Sequence, residues 1–336
     1  MNARPTMQDV ARLAGVSIKT VSRVVNNEPR VDPHTRARVQ STINELGFRR
    51  NEQARSLRPG QSSSLIGLVS GDLGNPFYSA IARGIEEVAY EHGHLLLTAS
   101  SEEQPTRERQ LLETFLQHNV AGLIVAPTLG AARTITPELL RGTPLVSVDR
   151  PVTDPDPFDT VLLDNRAGAC QAVTHLIQDG HTRIAIIDGN PRVHTGQERT
   201  AGYLDALHAA GLPTPPHLMI HGHHGARHAE QATHELLNQE QRPSAIFATN
   251  NRIATGVIRA LHDRRRTLAV ASFDDFELAD VINLPLTLIS YDAVDLGRAA
   301  ARRLLQRIQG ESGPPQRLIQ PVTLRIPGDL RSGRNA

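Results

Sequence analysis

Polar side chains follow several of the most apolar segments of this sequence, where they could bind a ligand or transfer protons. Asp149-Arg150 comes directly after PLVSV, Asn250-Asn251 after AIFAT, Asp274-Asp275 after LAVASF, and the segment GDLGNPFY after LIGLVS. Carboxylates and aromatic rings suit a ligand with many hydroxyl groups, and Asp149 with Asp274 is the candidate acid/base pair for catalysis. If the apolar segments are parallel strands, these groups meet at the strands' carboxyl ends, and the sequence predicts a cleft there.

The elements that must position these groups alternate between strand and helix. Ten predicted strands, from LIGLVS to LTLISYD, are separated by amphipathic segments such as YSAIARGIEEVAYEHG and RQLLETFLQHN. This alternation predicts parallel sheets with helices on both faces. The run of strands is too long for one sheet, so we expect two subdomains facing each other across the cleft.

Composition excludes several classes of protein. No run approaches the roughly eighteen apolar residues of a membrane span, and the N-terminal MNARPTMQDV lacks an apolar signal core, so we expect a soluble cytoplasmic protein. A single cysteine rules out an internal disulfide framework.

Charge is distributed unevenly along the chain. Residues 1–60 carry one lysine and ten arginines against five acidic residues, a net charge of +6. The other 276 residues carry 25 basic and 30 acidic groups, a net charge of −5. A basic head on a mildly acidic body predicts that the head alone binds a polyanion.

Three short helices are predicted in this head from their capping residues. A cap precedes each of MQDVARLA, IKTVSRVVN and PHTRARVQSTINEL, a glycine ends the first and the third, and Thr6 with Asp9 forms a capping-box pattern. Ten apolar side chains should form one small core. They are Val10, Leu13, Ala14, Val16, Val21, Val24, Val25, Val39, Ile43 and Leu46.

The first two helices have the spacing of a helix-turn-helix, because only AGVS separates them. If the valines of the second helix face the core, its outer face carries Ser17, Ile18, Lys19, Ser22 and Arg23. Such a face suits the major groove, since Arg or Lys can reach guanine edges and an apolar side chain can touch a thymine methyl group.

The head resembles the lactose/galactose-repressor (LacI) family of bacterial transcription factors over residues 6–60, through TMQDVARLAGVSIKTVSRVVNN and VDPHTRARVQSTINELGF. NEQARSLRPG is similar to that family's hinge helix, which becomes helical when two copies meet in the minor groove, with Leu57 as the side chain that wedges between base pairs. The DNA-binding residues that the resemblance implies are Thr6, Ser17, Ile18, Lys19, Thr20, Ser22, Arg23, Asn26, Asn51, Ala54, Arg55, Leu57 and Arg58.

The body resembles the effector-binding core of the same family, which is similar to periplasmic sugar-binding proteins, through segments such as LIGLVSGDLGNPFYSAIARGIEEVA, DNRAGACQAVTHLIQDGHTRIAIIDG and SFDD. The resemblance implies a type I periplasmic-binding-protein-like fold of two doubly wound subdomains. It also implies a helix-turn-helix domain (1–50), a hinge (51–61) and an effector-binding and dimerisation domain (62–336). Within the last, one subdomain takes about 62–162 with 292–320, and the other takes 163–291 with 321–336.

Effector contacts follow from the same resemblance. Arg199, in QERTAGY, matches an arginine that binds effectors in many members, and His224 stands where relatives often have Trp or Phe. The expected contacts are Asn75, Phe77, Tyr78, Asp149, Thr195, Arg199, His224, Asn250, Asp274 and Tyr291. These groups favour a sugar, and a purine or another metabolite acting as co-repressor is the alternative.

The expected function is that of a repressor that binds a palindromic operator as a homodimer under the control of a small molecule. The alternative from another class is an enzyme that processes sugars or nucleosides in the same cleft. The stretch HLMIHGHHGARH holds five histidines, and we interpret it as a solvated loop, with no metal and no cofactor. No apolar heptad repeat follows the last strand, so nothing predicts a coiled-coil tetramer.

Overall fold

The computed structural model describes residues 5–48, 63–222, 225–277 and 279–326. The chain divides into two compact units, and the boundary falls between Ser63 and Ser64. A helix-turn-helix head forms the first unit, and two parallel sheets with flanking helices form the second, the fold class that the sequence predicts.

The head consists of helices α1 (Met7–Ala14), α2 (Ile18–Val25) and α3 (Pro33–Leu46). Thr6 accepts a hydrogen bond from the Asp9 backbone N–H while the Asp9 carboxylate accepts one from the Thr6 N–H, which confirms the capping box. Ser17 and Asp32 cap α2 and α3, and glycines follow α1 and α3 with left-handed φ values of 60° and 61°. These predicted helix ends are confirmed.

The head core contains every predicted residue except Leu13, with Val16, Val25, Ile43 and Leu46 partly buried against it. Its buried residues are Val10, Ala11, Ala14, Val21, Val24 and Val39. The prediction that Leu13 belongs to this core is wrong, because 61% of that residue is exposed. The buried face of α1 is centred on Val10, Ala11 and Ala14, and Leu13 points away from it.

The body contains two six-stranded sheets. Its strands are β1 (Leu65–Ser70), β2 (Leu95–Ser100), β3 (Gly122–Val125), β4 (Leu145–Val148), β5 (Asp159–Leu163), β6 (Ile184–Ile187), β7 (Met219–Ile220), β8 (Ala245–Ala248), β9 (Ala269–Phe273), β10 (Leu286–Ser290), β11 (Arg317–Gln320) and β12 (Thr323–Arg325). Its helices are α4 (Pro76–Glu91), α5 (Pro105–Gln117), α6 (Pro137–Leu140), α7 (Asn165–Gln178), α8 (His194–Ala209), α9 (Ala226–Leu237), α10 (Asn251–Asp263) and α11 (Ala293–Ile308).

The first sheet has the order β11-β5-β4-β3-β1-β2, and all its strands are parallel. The second has the order β12-β10-β9-β8-β6-β7, and only β12 runs antiparallel to its neighbour. Strands β11 and β12 are absent from the sequence prediction, because the short stretch RLIQPVTLR is interrupted by Pro321. The edge strands β2, β7, β11 and β12 are largely exposed or half-buried, whereas the strands between them are almost fully buried, as expected for parallel sheets covered on both faces.

Close helix packing holds the first subdomain together. Helices α4 and α11 approach so tightly that a Cβ at Gly84 would lie 1.9 Å from the Val294 carbonyl oxygen, and one at Gly297 would lie 2.2 Å from that of Ile81. Glycine is therefore required at both positions, since a Cβ would push the helices apart.

The chain passes between the two sheets three times, from β5 to α7, from β10 to α11, and from β11 to β12. Each sheet thus combines segments that are distant in sequence. None of the helices in the described part of the chain is long and apolar enough to cross a membrane.

Candidate ligand-binding cleft and nucleic-acid interface

Loops at the carboxyl ends of strands from both sheets line one cavity of about 260 Å³. The loops follow β1, β2 and β4 in the first sheet and β6, β8 and β9 in the second. The volume is close to the lower end of ordinary ligand sites, about 300 Å³, so the cavity suits a small ligand. A neighbouring cavity of about 610 Å³ shares Phe77, Arg252 and Asp274 with it.

Asp149 forms the centre of a buried polar network on the first-sheet side. Its Oδ2 accepts hydrogen bonds from the Tyr78 hydroxyl at 3.0 Å and from Arg150 Nε at 3.2 Å. Arg150 also donates to both carboxylate oxygens of Glu103, at 3.0 and 2.9 Å, and to the Tyr78 oxygen at 2.7 Å. Burial, opposed in part by the Arg150 charge, raises the pKa of Tyr78 well above its ordinary value, so the hydroxyl stays protonated and donates.

Asp274 forms the matching centre on the second-sheet side. Its carboxylate accepts hydrogen bonds from the Tyr291 hydroxyl and, at 3.2 Å, from the backbone N–H of Asn251. The Arg199 guanidinium lies 3.9 Å from it. Burial of the Tyr291 hydroxyl and the adjacent Asp274 charge raise the pKa of Tyr291, so this hydroxyl is also a donor.

Arg199 is fixed from three directions. It donates to Asn165 Oδ1 at 2.8 Å and to the Thr249 carbonyl oxygen at 2.5 Å, and its guanidinium stacks 3.7 Å from the centre of the Phe273 ring. Only 7% of the residue is exposed. Because these partners lie on β9, at the first residue of α7 and in the loop before α10, Arg199 cannot move without disturbing the second subdomain.

Two contacts cross the cleft directly. Arg252, in the first turn of α10, forms an ion pair with Asp72 in the loop after β1. Asn251 donates from Nδ2 to Asn75 Oδ1 at 3.3 Å. These contacts bridge the two subdomains beside the 260 Å³ cavity.

Asn75, Phe77, Thr195 and Asn250 also lie around the 260 Å³ cavity, whereas Tyr291 lines the neighbouring 610 Å³ cavity. Asn75 and Asn250 cap α4 and α10, and each side-chain oxygen accepts a backbone N–H, so each carboxamide is positioned by its helix. Phe77 packs edge-on against Tyr291, with ring centroids 5.8 Å apart. His224 lies outside the described residues.

Several cleft residues are absent from the sequence prediction. Glu103, Asn190 and Arg252 line the cavity, and Asn165 holds Arg199 from behind. Asp72, in GDLGNPFY, and Arg150, directly after Asp149, also line the cavity, and both belong to turns that the sequence predicts at the cleft. The partners of Arg150 and Arg252 lie far along the chain, and no local pattern reveals them.

Helix α2 presents an exposed polar face in the head. Ile18 is 46% exposed, Lys19 is exposed, and the Arg23 side chain is 40% exposed, 3.7 Å from Glu28. Thr20, Ser22 and Asn26 are half-buried on the same helix or at its end. The hydroxyls of Thr6 and Ser17 take part in helix caps. The predicted DNA-binding residues that lie outside the described part of the chain are Asn51, Ala54, Arg55, Leu57 and Arg58.

A group that could hold a metal ion lies away from the cleft. In the described ranges, ligand atoms of Glu230, His234 and Asp263 lie within 4.8 Å of one another. Arg264 donates a hydrogen bond to Nδ1 of His234 at 3.2 Å and brings a positive charge to the group. That charge disfavours a cation there.

Two family descriptions match the chain. The family "Bacterial regulatory proteins, lacI family" matches residues 6–51. The family "Periplasmic binding proteins and sugar binding domain of LacI family" matches residues 63–328.

Individual proteins match over nearly the whole length. The HTH-type transcriptional regulator GalR of Escherichia coli (strain K12) is 33% identical over 306 residues, which cover 89% of this chain and 88% of GalR. Among solved structures, a transcriptional regulator CelR–cellobiose complex is 31% identical, with a TM-score of 0.72, and the match covers 96% of this chain and 99% of that one. The Lac repressor dimer bound to operator and the anti-inducer ONPF is 28% identical, with a TM-score of 0.84, covering 97% and 99% of the two chains.

Proposed function

This chain belongs to the LacI family of bacterial regulatory proteins, and we propose that it represses transcription from a palindromic operator under the control of a sugar. It is a ligand-responsive transcriptional regulator. One observation supports the proposal most strongly: the same chain joins a helix-turn-helix with an exposed polar second helix to a body whose two sheets enclose a polar cleft. Family membership favours this function over that of an enzyme.

The chain has three functional parts in this proposal. Residues 1–50 bind DNA, residues 51–61 form the hinge, and residues 62–336 bind the effector and dimerise. The last part comprises one subdomain of about 62–162 with 292–320 and another of 163–291 with 321–336. The protein acts in the cytoplasm, where the operator is.

Operator binding is assigned to α2 and the hinge. Ile18, Lys19 and Arg23 read base edges in the major groove, and the other predicted residues of the head fix its register. One helix-turn-helix makes few base contacts, so two copies on a palindrome are needed for specific binding. The relative Lac repressor is a dimer bound to operator, which supports the homodimer.

A sugar is the proposed effector because the cleft contains the groups that bind hydroxyls. The Asp149 and Asp274 carboxylates can accept hydroxyl protons, the carboxamide of Asn250 can donate, and the rings of Phe77 and Tyr291 can cover an apolar sugar face. The relative CelR is in complex with cellobiose, a sugar. A purine is the alternative ligand.

The test begins with selection of the operator from a pool of random DNA by the purified protein. Fluorescence anisotropy then measures affinity for the selected site with and without neutral sugars or purine bases. We expect a palindromic site, binding by a dimer, and a change in affinity with a sugar. A response to a purine alone contradicts the sugar assignment, and turnover of sugars or nucleosides by the protein favours the enzyme alternative.

The hinge has a separate test. Leu57→Ala should reduce operator affinity, because the wedge that kinks the duplex is lost, while the melting temperature of the body stays unchanged. Unchanged operator affinity would make residues 51–61 a simple linker.

A further inference from the structure

Every arginine among the described residues that line the cleft is already paired with a carboxylate. Arg150 is paired with Glu103 and Asp149, Arg252 with Asp72, and Arg199 lies beside Asp274. In the described part of the lining, three arginines thus face four carboxylates. This described lining carries one more negative than positive formal charge, although its arginines suggest at first a site for an anion.

Arg150 is the arginine whose charge is most clearly neutralised by carboxylates. Its side chain is only 9% exposed, and it donates to Glu103 through two nitrogens and to Asp149 through a third. This fork-to-carboxylate pairing is the geometry in which arginine also binds phosphate, so Glu103 occupies the position that a ligand phosphate would need.

Glu103 is held in place by its backbone. Its N–H donates to the Gly71 carbonyl oxygen at 3.2 Å, and both Glu102 and Glu103 adopt left-handed φ values, 51° and 56°. Its side chain is 45% exposed at the cavity, so the carboxylate faces the space that a ligand enters.

An anionic ligand would meet two opposing effects here. It would lie among carboxylates in a partly desolvated site, where repulsion between like charges is stronger than in water. It could gain Arg150 or Arg252 only by displacing Glu103 or Asp72, which would leave that carboxylate without its partner. A neutral sugar needs no such displacement, because its hydroxyls can donate to the same carboxylates.

We propose that the cleft selects uncharged sugars over phosphorylated ones, and that Glu103 is the residue that determines this selectivity by neutralising Arg150. The inference rests on the proposed function, in which the cleft binds a sugar. It predicts a gain of function: removal of the Glu103 charge should admit a phosphorylated sugar.

The experiment compares the full-length protein with Glu103→Gln. Glutamine can still accept a hydrogen bond from Arg150, so the fold should persist, while the negative charge is lost. The probes are D-ribose, D-galactose and D-glucose with ribose 5-phosphate, galactose 1-phosphate and glucose 6-phosphate, measured by isothermal titration calorimetry. The matched control is Glu113→Gln on α5, whose partner Arg109 is at the surface.

The wild-type protein and the control should bind at least one neutral sugar about tenfold more tightly than its phosphate, and Glu103→Gln should shift that ratio toward the phosphate by about tenfold. Tighter binding of a phosphate by the wild-type protein, or an unchanged ratio in Glu103→Gln, overturns the inference and leaves the sugar proposal intact. If the variant does not fold, Asp72→Asn, which releases Arg252, should shift the ratio in the same direction, and an unchanged ratio there overturns the inference too. Binding of none of the six probes, with binding of a purine base, overturns the sugar proposal itself.

Discussion

Asp149 and Asp274 occupy matching positions in the two halves of the cleft. Each follows the third strand of its sheet, and each has a left-handed backbone, with φ of 73° and 78°. Each accepts a hydrogen bond from a tyrosine hydroxyl, Tyr78 for Asp149 and Tyr291 for Asp274, and each lies beside an arginine. The cleft therefore has approximate two-fold symmetry in its chemistry, and a ligand between the two carboxylates would meet equivalent groups on both sides.

Asp149→Asn and Asp274→Asn should each weaken effector binding by about 1–3 kcal/mol, because a charged acceptor for ligand hydroxyls becomes a neutral amide. Asparagine tolerates the left-handed conformation, so the turn should keep its shape. Calorimetry with a sugar that the wild-type protein binds gives the affinity. Asp263→Asn, at an exposed site at the end of α10, is the control. Equal effector affinity in all three variants would show that neither carboxylate contributes to effector binding.

Arg199→Lys should reduce effector affinity by about tenfold while operator affinity in the absence of effector stays unchanged. Lysine keeps the charge but lacks the planar fork that binds Asn165 and Thr249 together and stacks on Phe273. Operator affinity and its response to effector are measured by anisotropy. Arg166→Lys changes an exposed arginine on α7 and should have no effect. A normal effector response in Arg199→Lys would show that this guanidinium does not contribute to binding.

The ion pair between Asp72 and Arg252 should modestly stabilise the contact between the two subdomains across the cleft. Its side chains are 24% and 51% exposed, so the pair contributes at most about 1 kcal/mol. Arg252→Asp places two carboxylates opposite each other and should lower effector affinity about fivefold, within that range. The exchange of both charges, Asp72→Arg with Arg252→Asp, should restore most of the loss. A double-mutant cycle measured by calorimetry checks the coupling, and strictly additive losses would mean that the pair does not act as a unit.

Arg23→Ala should weaken operator binding by about 1–3 kcal/mol and relax the base preference at one position of each half-site. Selection of binding sites from random DNA by both proteins reveals that position. Arg12→Ala removes another exposed arginine of the head, on α1, and should leave base preference unchanged. A uniform loss of affinity for all sequences in Arg23→Ala would assign this side chain to the phosphate backbone instead.

Local sequence patterns predicted the local structure well. The caps of the three head helices involve residues that are at most four positions apart, and these helix ends are confirmed. Leu13 was assigned to the core because it lies three residues after the buried Val10. On an eight-residue helix this spacing occurs between two buried residues and also between a buried and an exposed residue, so it does not identify the buried face. Strands β11 and β12 escaped prediction because each is short and becomes a strand through partners more than thirty residues away, β5 and β10.

The sequence predicts the location of the cleft better than it predicts which cleft side chains pair with each other. The turns that carry Asn75, Asp149, Asn250 and Asp274 all border it, because parallel strands bring their carboxyl ends together. The pairings that set its charge, such as Arg150 with Glu103, join residues 47 positions apart and depend on how the loops meet. Sequence periodicity contains no information about such contacts.

The three passages of the chain between the sheets lie on one side of the body. They connect β5, β10, β11 and β12, which occupy the first two positions of the two sheet orders, whereas β2 and β7 lie at the opposite ends. If the subdomains rotate relative to each other about this side, the three passages form the hinge, and the parts of each sheet farthest from them move the most. A small rotation then strains the connecting backbone little and displaces β2 and β7 the most. A small movement that a ligand causes in the cleft would therefore become a larger movement at the edge formed by β2 and β7.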